Sequence, residues 1–585
     1  MRKFPLYKIF YGLGIIMLLC GALSFLVCFI PYEDLIEFII SSLHRPDLKT
    51  LITGRYFPPD KLIRLQVFVG ILSFLSIGFL FYYLKRRHYI LGIIKSINLL
   101  IINKLMGFLR VFTGLSVAEK CVLGCILSFV LIRSFYYAST FNIQYDEAWN
   151  YNYFLKRHVI FSLFAYNNYP LHNLMTWPLV KILSPHVIIL RIPSILSGLA
   201  AGLVVFHLSH RLTKHKVVSM LFMLLFFCLP NTVFYMLYAR GVMMEVFFAG
   251  LIIYLLYPFI STGLSSSKRT LIATVFMNGL ATLSMLSHVY FIALTTMAML
   301  FIGLSERNRE KIVFSIQYGI FALVFSSVLL LPMVLGTGIG SGISAGLSHL
   351  NFLALHDAPT QCYSDFISGH GYGIYALMMF NFLLIVLNPG KTTGRLALFN
   401  LCLLSGIWLI PGLTQTYPAE RTLGFLSLTT ITTLCLVFKW ILEFQAPDLD
   451  SIPEHGHKKR FLGSSILILL AMWMQIHSHH HRFIRWSERL DHEVLSLSSD
   501  MMEHHIDRVY NQCNRFAYFV PGIEYYFSLN DRNFNYTTSD SSSTRYVSQK
   551  QSKDEYVIDC IENLNPSVDS GHLIRTSGFY LYKEQ

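Results

Sequence analysis

Charge is what this chain has least of. Of its 585 residues, 14% are charged, where a soluble domain of ordinary composition carries roughly a quarter. So few charges cannot cover a chain this long with a water-facing surface, which excludes a wholly soluble protein. Acids are scarcer than bases, 33 against 47, for a formal net charge of +14. That excess invites a nucleic-acid reading, and its distribution removes it. The tail from Arg482 onward holds 11 basic and 15 acidic side chains, so the positive charge sits between the apolar runs. Other absences narrow the field further. No small-residue cleavage site follows the first apolar run, which reads as an uncleaved helix rather than a leader. Gly338-Ile339-Gly340 lacks the preceding strand and following helix that a dinucleotide fingerprint needs. The run His477-Ser478-His479-His480-His481 has no second cluster at ligand spacing and reads as a solvated helix end. Most of the ten cysteines lie in or beside apolar runs, where a thiol packs as a small hydrophobe. Cys513 and Cys560 both fall in the tail, where an oxidising compartment permits a disulfide.

What is present is apolar length. Hydrophobic residues make up 54% of the chain, in repeated blocks of about 17–25, the length that crosses a hydrocarbon core. The pattern predicts a polytopic α-helical membrane protein of about thirteen spans, at 11–30, 64–84, 119–139, 188–209, 216–236, 241–258, 270–287, 289–304, 312–334, 373–388, 395–411, 422–441 and 461–476. Basic loops mark the cytoplasmic side, and they alternate along the chain. Lys85-Arg86-Arg87, Lys268-Arg269 and Lys458-Lys459-Arg460 fall in loops expected inside, whereas 335–372 has no Lys or Arg. The N-terminus is therefore expected in the cytoplasm and the C-terminus outside.

Three parts follow. Residues 1–118 hold two N-terminal spans and a segment, 88–118, whose spaced Lys and Arg suit a helix on the inner surface. Residues 119–477 form the main transmembrane domain. It has a long aromatic outside loop at 140–187, expected to contain short helices, and a glycine-rich one at 335–372 that reads as a mobile lid. Residues 478–585 form a small extracytoplasmic α/β domain, with a helix over 486–510 and strands at 516–520, 556–561 and 578–582.

The candidate chemistry gathers at helix ends. Asp146 and Glu147 adjoin in Tyr145-Asp146-Glu147-Ala148-Trp149, directly after a span and among aromatics. The plainer reading is an acidic helix end. The functional one is a general base toward a hydroxyl acceptor, with one carboxylate raising the pKa of its neighbour. Arg240, after Tyr238-Ala239, and Arg421, after Tyr417-Pro418-Ala419-Glu420, lie at expected outside turns against the positive-inside bias. A planar guanidinium suits phosphate oxygens, while snorkelling to lipid headgroups is the plainer role. His288 lies at a third outside turn, and His172 is a candidate substrate contact. Glu245, inside an expected span, is a functional candidate by position or a partner for Arg240. Paired acids can hold a divalent ion, but no ligand set is convincing, so no metal or cofactor is assigned.

Certain segments carry a resemblance: Tyr145-Asp146-Glu147-Ala148, Tyr169-Pro170-Leu171, Leu190-Arg191-Ile192-Pro193-Ser194 leading to Gly198, Tyr238-Ala239-Arg240, and Glu420-Arg421. In order and topology the chain resembles the GT-C membrane glycosyltransferases, in the branch of protein O-mannosyltransferases and bacterial aminoarabinose (lipid A) transferases. It departs in its extra N-terminal segments and in Gly241-Val242-Met243, which stands where an aromatic often follows the Ala-Arg pair. The resemblance implies a polyprenyl-phosphate-linked sugar donor, an outer-face site and inversion at the anomeric carbon. It further implies Asp146, with Glu147 beside it, as the catalytic carboxylate, and Arg240, Arg421 and His288 toward the donor phosphate. Tyr145, His172, Tyr238, Glu245 and Tyr417 are then candidate substrate contacts. The acceptor is a lipid, glycan or protein. The rival classes are a transporter or flippase of a lipid-linked intermediate, for which internal repeats are missing, and an inactive relative acting as a scaffold.

Overall fold

A backbone in hydrocarbon must satisfy its own hydrogen bonds, which leaves the helix as the natural state of each long apolar run. In the computed structural model these runs are helices. Described are residues 31–43, 59–92, 111–156, 159–163, 169–262, 268–337, 372–414, 423–445, 494–511 and 519–530, with four further strands and a few single positions. In chain order the helices are α1 (Tyr32–Leu43), α2 (Pro59–Lys85), α3 (Val117–Thr140), α4 (Tyr145–Asn150), α5 (Pro170–Ile182), α6 (Val187–Thr213), α7 (Lys216–Cys228), α8 (Pro230–Met236), α9 (Val242–Thr262), α10 (Lys268–Ser284), α11 (His288–Ser305), α12 (Arg309–Thr337), α13 (Gly373–Leu387), α14 (Thr392–Thr414), α15 (Leu426–Gln445) and α16 (Val520–Leu529).

The chain is an integral membrane protein. Among the described residues, α3, α6, α9, α11, α12 and α14 are long and apolar enough to cross a membrane, and the bent pair α7–α8 makes a seventh. Among the described residues the expected count of thirteen is thus not reached. Helices α13 and α15 are apolar but shorter, and α10 carries Thr274, Asn278 and Thr282, all buried. The expected span at 461–476 and most of that at 11–30 lie outside the described residues. The expected span 216–236 is broken: α7 and α8 meet at 68°, with Pro230 at the start of α8 unable to continue the ladder. Arg133 of α3 donates to the Phe227 carbonyl at 3.0 Å, satisfying part of the end of α7.

Helix α6 lies at the centre, touching α3, α5, α7, α9 and α15. One apolar core runs from Leu115 to Leu436 through the bundle. At one end the core is closed by charge: Glu306 takes Lys311 at 2.7 Å and Arg395 at 2.5 Å. At the other end the segment after α3 holds short helices, as its aromatic, turn-rich sequence predicts. These are α4, a π-helical turn at Tyr151–Leu155, a 3-10 turn at Val159–Leu163, and α5.

The tail contains a five-stranded sheet of order β2-β1-β3-β5-β4, formed by β1 (Arg508–Asn511), β2 (Asn535–Thr538), β3 (Tyr556–Cys560), β4 (Ile574–Thr576) and β5 (Phe579–Lys583). β1 pairs parallel with β2 and β3, and β5 antiparallel with β3 and β4. Expected strands at 556–561 and 578–582 match β3 and β5. The expected helix to Tyr510 stops at 503 and gives way to β1, and Phe519-Val520 opens α16 rather than extending a strand. Pro521 explains the second difference, because proline fits the first turn of a helix. Cys513, the His477 run and residues 338–371 of the expected lid lie outside the described residues.

Candidate active site

Glu147 and Asp146 are neighbours in sequence and have opposite fates. Successive residues on a helix point about 100° apart, so on α4 one carboxylate turns inward while the other stays near the surface. Glu147 turns inward and meets Arg191 of α6. Its Oε1 accepts from Arg191 Nε at 2.9 Å and from the Ala239 amide at 2.5 Å. Its Oε2 accepts from an Arg191 terminal nitrogen at 2.6 Å and from the Gln144 amide at 2.9 Å, which also closes the N-terminus of α4. A carboxylate offers about four acceptor positions, and all four are taken.

Arg191 is equally complete. Its remaining donors reach the carbonyls of Ala138 (3.2 Å), Phe141 (2.9 Å) and Asn142 (2.9 Å), so all five guanidinium N–H bonds have acceptors. The side chains of Arg191 and Glu147 are 1% and 0% exposed. This pair ties the end of α3, the start of α4, α6 and the turn before Arg240 into one knot. Motif and spacing alone give Arg191 no role beyond its place in the Leu190–Ser194 segment. The available signal was a guanidinium five residues into an apolar run, an expensive placement that demands a partner.

Asp146 points the other way, with 27% of its side chain exposed against 3% for Arg240, to which it is ion-paired. Tyr238 donates its hydroxyl to Asp146 Oδ2 at 3.2 Å. The Arg240 guanidinium also lies over the rings of Tyr238 (4.8 Å) and Tyr169 (5.4 Å), a cation held against aromatic faces. The turn carrying it is tight: a Cβ on Gly241 would stand 1.9 Å from the Ser284 carbonyl oxygen. Glycine is needed there for close backbone approach, which accounts for the missing aromatic at that position.

His172, expected as a substrate contact, is instead wholly buried. Its Nε2 is 3.2 Å from Ser194 Oγ, whose hydroxyl donates to the Arg240 carbonyl at 2.9 Å. Burial pushes the His172 imidazole down to about 4, so it is neutral and works through Ser194 on the Arg240 turn. Beside it, Asn150 of α4 and Asn173 of α5 exchange two amide hydrogen bonds at 2.6 and 2.9 Å.

Glu245 does not pair with Arg240. Its Oε1 meets His288 Nδ1 at 3.0 Å, while His288 Nε2 faces Asn278 Oδ1 at 3.0 Å, all buried between α9, α10 and α11. Asn278 donates on to the Tyr318 hydroxyl at 3.0 Å. His288 and Glu245 thus share one buried network, apart from the Asp146–Arg240 pair. Tyr145 is exposed on α4. Arg421 and Tyr417 lie outside the described residues. Among the described residues no three His, Cys, Asp or Glu side chains converge as a metal site.

No family model matches the chain, and neither does any curated protein. Among solved structures it is similar to ArnT from Cupriavidus metallidurans bound to undecaprenyl phosphate, at 11% identity and a TM-score of 0.46. It is also similar to the apo state of that protein, at 12% identity and a TM-score of 0.47. Each match covers 80% of this chain and 98% of the other.

Proposed function

We propose that the chain is a glycosyltransferase that moves a sugar from a polyprenyl-phosphate donor to a hydroxyl acceptor at the outer face of the membrane, with inversion. The observation that carries the reading is the Asp146–Arg240 pair, a partly exposed carboxylate and a guanidinium brought together from 94 residues apart by a buried scaffold. Arg240 suits a phosphate oxygen because its fork is rigid, always charged and held over two rings. A phosphate arriving there competes with Asp146 for the same guanidinium. Asp146, relieved of its partner, then takes the acceptor proton as the sugar transfers. Arg421 is proposed as a second phosphate contact, on the resemblance alone. Glu147, with every acceptor position occupied, is proposed to position Asp146 and Arg240 rather than to take a proton.

The test is transfer from a purified prenyl-phospho-sugar by the chain reconstituted in lipid. Asp146→Asn should lower the rate by about 100-fold or more, the range expected for a lost general base. A fully active Asp146→Asn chain would sink the assignment.

A further inference from the structure

Helix α16 belongs to the tail in sequence, and one of its faces belongs to the carboxylate loop. Val520, Ile523 and Phe527 enter the tail's own core with Leu497, Met501 and Val509. Pro521, Glu524, Tyr525 and Ser528, spaced i, i+3, i+4 and i+7, form a second stripe. That stripe meets the π-helical turn that directly continues α4. Asn152 donates to the Pro521 carbonyl at 2.8 Å and to Glu524 Oε2 at 3.3 Å. Tyr525 is fully buried, edge-on to Tyr151 at 5.3 Å, and its hydroxyl donates to the Pro185 carbonyl at 2.9 Å.

The core around Tyr525 explains why this contact reaches the chemistry. It contains Ile143 and Ala148, which flank Asp146; Leu190, which precedes Arg191; and Ala239, which precedes Arg240. One apolar cluster therefore touches both peptide segments that carry the ion pair. We infer that α16 is a positioning element for the Asp146–Arg240 pair, acting through Tyr525, so that the tail is part of the catalytic unit rather than an appended domain. The inference rests on the glycosyltransferase reading for its consequence and on packing alone for its mechanism.

Two measurements on the full chain separate these. Hydrogen exchange, which needs no substrate, should show faster exchange in Tyr525→Ala over both 142–155 and 237–241. In the transfer assay kcat should fall about tenfold or more and the donor KM should rise, because the cluster around Tyr525 places both Asp146, which meets the acceptor, and Arg240, which holds the donor phosphate. Tyr525→Phe, which loses only the bond to Pro185, should restore most of the rate. If Tyr525→Ala does not fold, Asn152→Ala removes two of the links without touching the apolar core, and the same two regions should loosen. Exchange confined to the tail, or unchanged, overturns the inference. So does a loss of kcat that Tyr525→Phe does not recover. If the unsubstituted chain transfers no sugar, the glycosyltransferase reading fails and the exchange result alone decides the brace.

Discussion

At the scale of single residues, the two adjacent carboxylates should respond to the same substitution in opposite ways. Glu147→Gln replaces an acceptor with an amide facing the Arg191 and Ala239 donors and leaves a buried guanidinium without its counter-charge. Breaking a buried pair from one side costs on the order of 3–5 kcal/mol, so this variant should unfold at markedly lower temperature in detergent. Asp146→Asn also takes the counter-charge from buried Arg240, but at a position that solvent partly reaches, so it should lower the unfolding temperature less than Glu147→Gln does while losing transfer. His172 adds a pH effect with a definite sign. Its folded pKa of about 4 lies below the ordinary value of 6.5, so between these values the unfolded chain binds a proton that the folded chain refuses. Its contribution to stability is complete above pH 6.5 and is lost as pH falls toward 4, by about 1.4 kcal/mol per pH unit. Thermal midpoints measured across pH 7 to 4.5 should fall more steeply for the native chain than for His172→Asn.

At the scale of elements, the site depends on short irregular pieces held by long regular ones. Helix α4 has only six residues, too few to be stable alone. It is held at its start by Glu147 and Arg191, and at its end by Asn150 with Asn173 and by the face of α16. The turn between α8 and α9 is fixed by Ser194 below Arg240 and by the approach of Gly241 to Ser284. Gly241→Ala places a Cβ against a backbone oxygen that cannot rotate away. The variant should either fold in low yield or show Arg240 displaced, read as weaker donor binding at unchanged helix content by circular dichroism. The helices themselves were legible because apolar length shows in sequence. Short helices after α3 were legible as a group but their bounds were not, and α16 was not, since it takes its helical state from packing on segments hundreds of residues away. Phe519-Val520 looked like strand residues for the same reason: only the packing of α16 on two cores shows which period applies.

At the scale of the whole molecule, basic loops and apolar helices predict an orientation that chemical labelling checks. A cysteine in place of Tyr372, next to a loop without Lys or Arg, should react with a membrane-impermeant maleimide in intact cells. One in place of Lys391, at the opposite end of α13, should react only after permeabilisation. All ten native cysteines require replacement first, among them Cys121 and Cys125, which are exposed among the described residues. The membrane class, the helix-rich fold, the alternation of loops and the list of candidate side chains were determined by sequence, because each is a local property: apolar length, charge count, residue type. Which carboxylate is buried was decided only by tertiary structure. So were the partner Arg240 takes, the diversion of Glu245 to His288 and the joining of the tail to the site. The reason is physical. A buried ionisable group is stable only where distant segments bring it matching donors and acceptors, and sequence spacing does not record that meeting.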